Sequence, residues 1–232
     1  MIKRLIVAGI LITALVSCDK KNGGPTIDFS WDFNQDAEGW TGDFADYPVG
    51  EAESYELTFE YAMLPSPLDQ TEGSLKLSGT NMSDDLFMFT KRKIDGLEPN
   101  TNYIVKFTVE FASDIPDDRV GVGGSPGESV WIKAGATTEE PLPVEDDMGY
   151  YRMNIDKGGQ SQGGSDMFVL GDFSNDTDLQ VYSLKTVTND QSFRVTSNNL
   201  GEVWMIFGTD SGFEATTTIF YNEIAAVFRL NK

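Results

Sequence analysis

Residues 103–111 read Tyr-Ile-Val-Lys-Phe-Thr-Val-Glu-Phe, and their reading decides the fold. Tyr103, Val105, Phe107, Val109 and Phe111 share one side of an extended chain, while Ile104, Lys106, Thr108 and Glu110 share the other. Successive side chains of a strand alternate between faces, so this pattern predicts a strand with one face in a core and a wetter face outside. Just upstream, Asp95-Gly96 followed by Leu97-Glu98-Pro99-Asn100 reads as a connection between two antiparallel strands, 86–94 and 102–112. Residues 203–207 (Val-Trp-Met-Ile-Phe) are apolar on both faces, which predicts a central strand with Trp204 in the core. In 129–134, Val130 and Ile132 point inward and Trp131 shares the outer face with Ser129 and Lys133. Similar short runs rich in β-branched and aromatic residues recur at 27–33, 55–61, 73–78, 150–155, 166–171, 181–186, 192–196 and 217–230, separated by Gly, Asn, Asp and Pro. No stretch of the body carries an amphipathic 3.6-residue period. The expected fold is all-β, an antiparallel two-sheet β-sandwich of jelly-roll type, as one domain over residues 26–232.

The 232 residues include 17 Lys+Arg against 37 Asp+Glu, no histidine and one cysteine. Without histidine there is no Ser-His-Asp or Cys-His nucleophile system and no imidazole acid–base catalysis. A lone cysteine excludes internal disulfides and cysteine-based metal sites. No haem, zinc or nucleotide is expected, and hard cations held by oxygen are the natural metals for so acidic a chain.

The first residues have the layout of a bacterial export signal. A short basic region, Met1-Ile2-Lys3-Arg4, precedes a mostly apolar run over residues 5–17. That run is shorter than the ~20 residues a membrane-spanning helix needs. It ends in Leu15-Val16-Ser17-Cys18, the pattern of a lipoprotein signal in which cleavage leaves the cysteine to carry acyl chains. The reading is a signal peptide over 1–17, then lipidated Cys18 and a polar, glycine-rich tether over 18–25. Loss of Lys3 and Arg4 leaves 15 basic against 37 acidic residues, a net charge of −22. Such a charge opposes nucleic acid, whose binding needs cations to replace phosphate counterions. Membrane attachment is therefore assigned to the acyl chains. The expected location is the bacterial cell envelope, on the outer membrane rather than the inner, with the leaflet open. Asp19 is the inner-membrane retention signal of enterobacteria, but other phyla use different export signals.

Several motifs bear on chemistry. Gly123-Gly124-Ser125-Pro126-Gly127 and Gly159-Gln160-Ser161-Gln162-Gly163 match the G-x-S-x-G nucleophile pattern, but with no histidine and no following helix both read as glycine-rich loops. Asp32-x-Asn34-x-Asp36 resembles the start of a calcium loop; Ala37 stands where such a loop needs glycine, so an EF-hand is set aside in favour of another oxygen-only calcium site. Glycoside hydrolysis needs only two carboxylates facing each other across a sugar, and Glu110, Glu128, Glu202 and Glu214 are the candidates for such an enzyme. Aromatics in turn-rich segments offer a different chemistry. The C–H face of a sugar stacks on Trp or Tyr while its hydroxyls bond to nearby polar groups. Trp40, Tyr47, Trp131 and Tyr151 are the stacking candidates.

Three segments carry a family resemblance. Residues 29–41 (FSWDFNQDAEGWT) resemble the first strand of galactose-binding-like jelly-roll modules, a class that includes carbohydrate-binding modules. Residues 94–109 (IDGLEPNTNYIVKFTV) are similar to a hairpin of those modules, and residues 217–228 (TTIFYNEIAAVF) resemble their last strand. The whole looks like such a domain on a bacterial, Bacteroidetes-like lipoprotein. The resemblance implies a non-catalytic sandwich, a glycan or polysaccharide as partner, and a structural calcium between first and last strands. By position, Asp32 or Asn34 and Asn222 or Glu223 would lie near that ion, although Asn222 stands where the family usually has an acid. The functional expectation is glycan recognition by an anchored lipoprotein, with outer-membrane proteins as further partners. The alternatives are a carboxylate-only glycoside-active enzyme and a structural or assembly subunit that binds another protein.

Overall fold

Alternating apolar residues build two antiparallel sheets face to face. The computed structural model describes residues 15–17 and 25–231. Cys18, residues 1–14 of the expected leader and residues 18–24 of the expected tether lie outside the described residues. In chain order the first strands are β1 (Leu15–Ser17), β2 (Thr26–Trp31), β3 (Thr41–Ala45), β4 (Tyr47–Pro48), β5 (Thr58–Met63), β6 (Gly73–Thr80), β7 (Leu86–Ile94) and β8 (Asn102–Ser113). They continue as β9 (Val130–Thr137), β10 (Pro143–Glu145), β11 (Tyr150–Met153), β12 (Met167–Asp172), β13 (Ser183–Thr188), β14 (Phe193–Thr196), β15 (Val203–Ser211) and β16 (Thr216–Leu230).

The first sheet is organised around β16, which pairs with β8 along one side. Along its other side β16 pairs first with β6 and then with β2. A bulge between Tyr221 and Glu223 marks where the partner changes. β5 extends the sheet beyond β6, β1 extends it beyond β2, and β13 and β14 both pair with the far side of β8. The second sheet runs β12-β9-β15-β7-β3, and β10-β11-β4 form a small third sheet. Every pairing is antiparallel. The expected two-sheet antiparallel sandwich is therefore the observed one.

Between the sheets lies an aromatic core. Trp40 meets Trp31 edge-on at 5.2 Å between ring centroids and Phe207 at 5.8 Å. Phe107 meets Phe207 edge-on at 5.6 Å, joining the two sheets through their central strands. Edge-to-face contact places the positive rim of one ring against the negative face of the other and adds ~0.5–1.5 kcal/mol to the burial of each pair. Tyr103, Val105, Phe107, Val109 and Phe111 all point into this core, as their alternation requires.

Three local expectations are corrected. The turn at 95–100, with Gly96 at φ +87°, does not close a hairpin. It carries the chain from β7 in the second sheet to β8 in the first. Trp204 is not core: it lies on the outer face of the second sheet, half-exposed, with Lys91 Nζ 5.6 Å from its ring centroid. Lys133, read as part of a wetter face, is completely buried. Lys133 is enclosed because the outer face of the second sheet is covered around it. Phe87, Phe89 and Ile206 project from that face and pack with Ala45, Ile155, Met153 and Met167 beneath the segment between β11 and β12. At Gly135 this segment lies so close that a Cβ would run into the Asp166 carbonyl, so only glycine fits there.

Candidate functional site

The segment that covers the second sheet also walls a cleft. β12 is an edge strand whose register shifts between Val169 and Gly171. Beside it, the turn between β13 and β14 projects from the first sheet. Asn189 holds that turn in place of a strand residue. Its Oδ1 accepts from Phe107 N at 2.6 Å, and its Nδ2 donates to Val105 O at 3.1 Å and Gln191 O at 2.7 Å. Asp190 and Gln191 are thereby presented at the rim with exposed side chains. Between strand and turn opens a cleft of about 460 Å³. Phe168, Val169 and Leu170 of β12 line it with Ser161, Thr188, Asp190 and Gln191, and the surface they leave open is mainly polar. Phe168 is fixed from behind by stacking on Phe193 at 5.5 Å and 17°. The lining holds one carboxylate and no lysine or arginine.

The wall that carries Ser161, Gly163 and Gly164 is held down by a buried charge cluster. Lys133 Nζ donates to the carbonyls of Lys157 (3.1 Å), Gly159 (2.6 Å) and Gln162 (3.1 Å), and to Asp210 Oδ2 (2.7 Å). Lys157 Nζ also reaches Asp210 Oδ2, at 2.8 Å, and lies 2.9 Å from Asp46 Oδ2. Arg152 Nη1 donates to Asp46 Oδ1 at 2.8 Å and lies 3.4 Å from Asp85 Oδ2. The two ammonium groups on one carboxylate respond oppositely. Burial pulls both down; for Lys133 it outweighs the attraction of Asp210, whereas for Lys157 Asp210 and Asp46 together raise the pKa. Burial, followed by repulsion from Asp46 and Asp210, pushes the Asp85 carboxyl up to about 7, against the opposing pull of Lys157 and Arg152.

Of the stacking candidates the structure brings together only Tyr47 and Tyr151. Trp40 is only 2% exposed and is a core residue, so a sugar cannot reach it. Tyr47 is also buried, its ring held by Tyr55 at 5.6 Å and Tyr151 at 5.2 Å. Tyr151 is half-buried in β11. Trp131 is half-buried on the outer face of the second sheet, in register with Asp210 and Asp172. None of the four lines the cleft. The residues that do line it sit in a glycine-rich loop, an edge strand and a turn. The glycine-rich loop at 159–163 supplies Ser161 and Gly163, and Asn189-Asp190-Gln191 between two strand runs is a turn signal that supplies the rest of the rim.

The calcium candidates divide. Asp32 and Glu223 line one cavity of about 360 Å³ with Ser30, Trp31 and Glu38, where β16 changes partner toward β2. Asn34 is exposed and does not line it. Asn222 is turned away, donating Nδ2 to Glu110 Oε1 at 2.9 Å across the first sheet. The four glutamates do not pair either. Glu110 is tied to Asn222 and Thr186 on the outer face of the first sheet, Glu128 to Ser125 and Asp118 in a loop, and Glu202 to Lys93 and Asn198 at the start of β15. Glu214 is exposed on the loop after β15.

No protein-family model and no curated protein matches the chain. Among solved structures it is similar to the family 11 carbohydrate-binding module of a Clostridium thermocellum cellulosomal cellulase, at 10% identity and a TM-score of 0.42, over 88% of this chain and 95% of that one. A carbohydrate-binding module described for specific mannan recognition is similar at 11% identity and a TM-score of 0.41, over 89% of this chain and 99% of the other. The enzymatically active domain of tailspike protein 4 of bacteriophage CBA120 is similar at 11% identity and a TM-score of 0.35; the match covers 84% of this chain but 20% of the tailspike chain.

Proposed function

We propose that this chain is a lipid-anchored protein of the bacterial cell envelope whose sandwich binds a neutral glycan in the cleft between β12 and the β13–β14 turn, without chemistry at the site. The observation that carries this reading is the lining of that cleft. Beside β12 it offers the hydroxyl, amide and carboxylate groups of Ser161, Thr188, Gln191 and Asp190, which suit the hydroxyls of a sugar. Its volume of about 460 Å³ lies within the ~300–1,000 Å³ of small-ligand sites. The absence of a cation from the lining, together with the acidity of the chain, favours neutral over uronic or sulfated polymers. A non-catalytic role is supported by the separation of Glu110, Glu128, Glu202 and Glu214 onto different elements.

Anchoring is supported by Leu15-Val16-Ser17-Cys18 alone. Cleavage after Ser17 would remove β1 and leave β2 as a sheet edge, with acylated Cys18 a short tether away. The proposed place is the outer membrane, in company with other envelope proteins that take up the polymer.

Titration of the chain with neutral and anionic polysaccharides tests the cleft. Binding to a neutral polymer is expected, weakened about ten- to thirtyfold by Asp190→Ala with Gln191→Ala, since each loses a hydrogen bond of ~1 kcal/mol. Both side chains are exposed, so the melting temperature should hold. Absence of binding to every polymer overturns the reading.

A structural calcium in the cavity of Asp32, Glu38 and Glu223 is proposed as well. Carboxylates and the Ser30 hydroxyl make an all-oxygen set suited to a hard cation. There it would tie β2 to β16. Chelator should lower the melting temperature, and Glu223→Gln should reduce that sensitivity; equal melting of both proteins with and without chelator removes this calcium.

A further inference from the structure

With no histidine in the chain, no side chain of ordinary pKa changes charge between about pH 5.5 and 7.5. The buried charge cluster supplies one that does. Asp46 follows β3, Asp85 precedes β7 and Asp210 lies in β15, and each offers an oxygen within 4.8 Å of the other two. Cations pair two of the three. Lys133 and Lys157 sit on Asp210 Oδ2, while Lys157 and Arg152 lie 2.9 Å and 2.8 Å from the two oxygens of Asp46. Asp85 has the smallest share: Arg152 Nη1 is 3.4 Å from its Oδ2, and its Oδ1 is buried with no hydrogen-bond partner. Asp146, 3.6 Å from Arg152 Nε, makes four carboxylates facing three cationic side chains.

A proton on Asp85 balances that count. It removes the surplus negative charge and gives the carboxyl a donor to turn toward Asp46 or Asp210, as happens when several acids share one site. Burial, then repulsion from Asp46 and Asp210, favours the same state against the pull of Lys157 and Arg152. Lys133, on β9, is the remaining charge that faces Asp85.

The chain links this acid to the wall of the cleft. The adjacent Asp84 stands at φ +62°, and its carbonyl accepts from Gln160 Nε2 at 2.5 Å. Gln160 belongs to the loop that brings Ser161 and Gly163 to the cleft. Asp85 keeps 36% of its side chain exposed, so on ionising it turns from its like-charged neighbours into water, and the Asp84 carbonyl moves with it.

We propose that Asp85 is a pH sensor: protonated, it seats the bend at 83–85 against residues 157–164, and ionised, it releases Gln160 and loosens that wall. The device depends on the cluster alone, whatever the cleft binds. Because the Asp85 carboxyl is held up to about 7 in the folded chain, that chain keeps a proton which the unfolded chain sheds at ~4. Stability therefore falls as pH rises from ~4 to 7 and levels off above that interval.

The test melts the full chain and Asp85→Asn in steps from pH 5 to 8. The melting temperature of the unaltered chain should fall by about 3–6 °C over this range, and Asp85→Asn, uncharged throughout, should lose the slope. Hydrogen exchange, corrected for its intrinsic pH dependence, should show residues 157–164 opening at pH 8 in the unaltered chain and not in Asp85→Asn. Potentiometry needs no variant: between pH 5.5 and 7.5 the native chain should release one proton more than the urea-unfolded chain. The absence of that proton, or a slope that persists in Asp85→Asn, overturns the sensor. A proton released with no change in exchange at 157–164 overturns its coupling to the wall.

Discussion

Replacing Asp210 by alanine is expected to lower the unfolding free energy by about 3–5 kcal/mol, the usual penalty for leaving a buried charge without its partner. The effect belongs at the upper end because two ammonium groups share that carboxylate, Lys133 at 2.7 Å and Lys157 at 2.8 Å. Lys133 is fully enclosed and cannot turn to solvent. The same substitution should loosen the covering segment, since Lys133 Nζ holds the carbonyls of Lys157, Gly159 and Gln162 only while Asp210 fixes it. Urea unfolding gives the energy, and hydrogen exchange across residues 157–164 gives the local effect. Lys133→Met combined with Asp210→Ala should cost less than the sum of the single changes, because the two groups act as one unit. Additivity, or a loss below about 1 kcal/mol, contradicts this account of the cluster.

Trp40→Ala should cost a similar ~3–5 kcal/mol, the range for removing a large aromatic from a packed core. Trp40 bridges the sheets, touching Trp31 and Phe33 on one side and Phe207 on the other. Its loss is a loss of stability and leaves glycan affinity at low temperature unchanged. A stable Trp40→Ala protein that no longer binds polysaccharide would restore the stacking role expected of this residue from sequence.

Trp40 shows where reading the sequence fails and why. Strands with strict alternation, such as β8, or with long apolar stretches, such as β15 and β16, stand where their patterns place them. β3 reads Thr-Gly-Asp-Phe-Ala, and its glycine and aspartate resemble a turn. Trp40 and Tyr47, on either side of it, therefore look like loop residues available to a ligand, although β3 pairs with β7 and β4 with β11 and both rings are buried. Lys133 misleads in the opposite direction. Alternation assigns it correctly to the outer face, but nothing local reveals that a segment more than twenty residues away lies over that face. The cleft was out of reach for the same reason. Phe168 and Asp190 meet only because an edge of one sheet lies beside a turn of the other, and that proximity is a property of sandwich closure. Asp32 and Glu223 are a partial exception, since both adjoin strands that pair directly, and they do line one cavity.

The position of β16 bears on when the fold can form. A nascent polypeptide ending at residue 215 lacks the strand on which β2, β6 and β8 all pair, and would display three unsatisfied edges. The sandwich therefore cannot close while the ribosome is still producing its middle, and the strand pairings it awaits span much of the sequence, which slows folding further. If the proposed leader directs export, this delay keeps the chain threadable through a translocation pore until its keystone has been made.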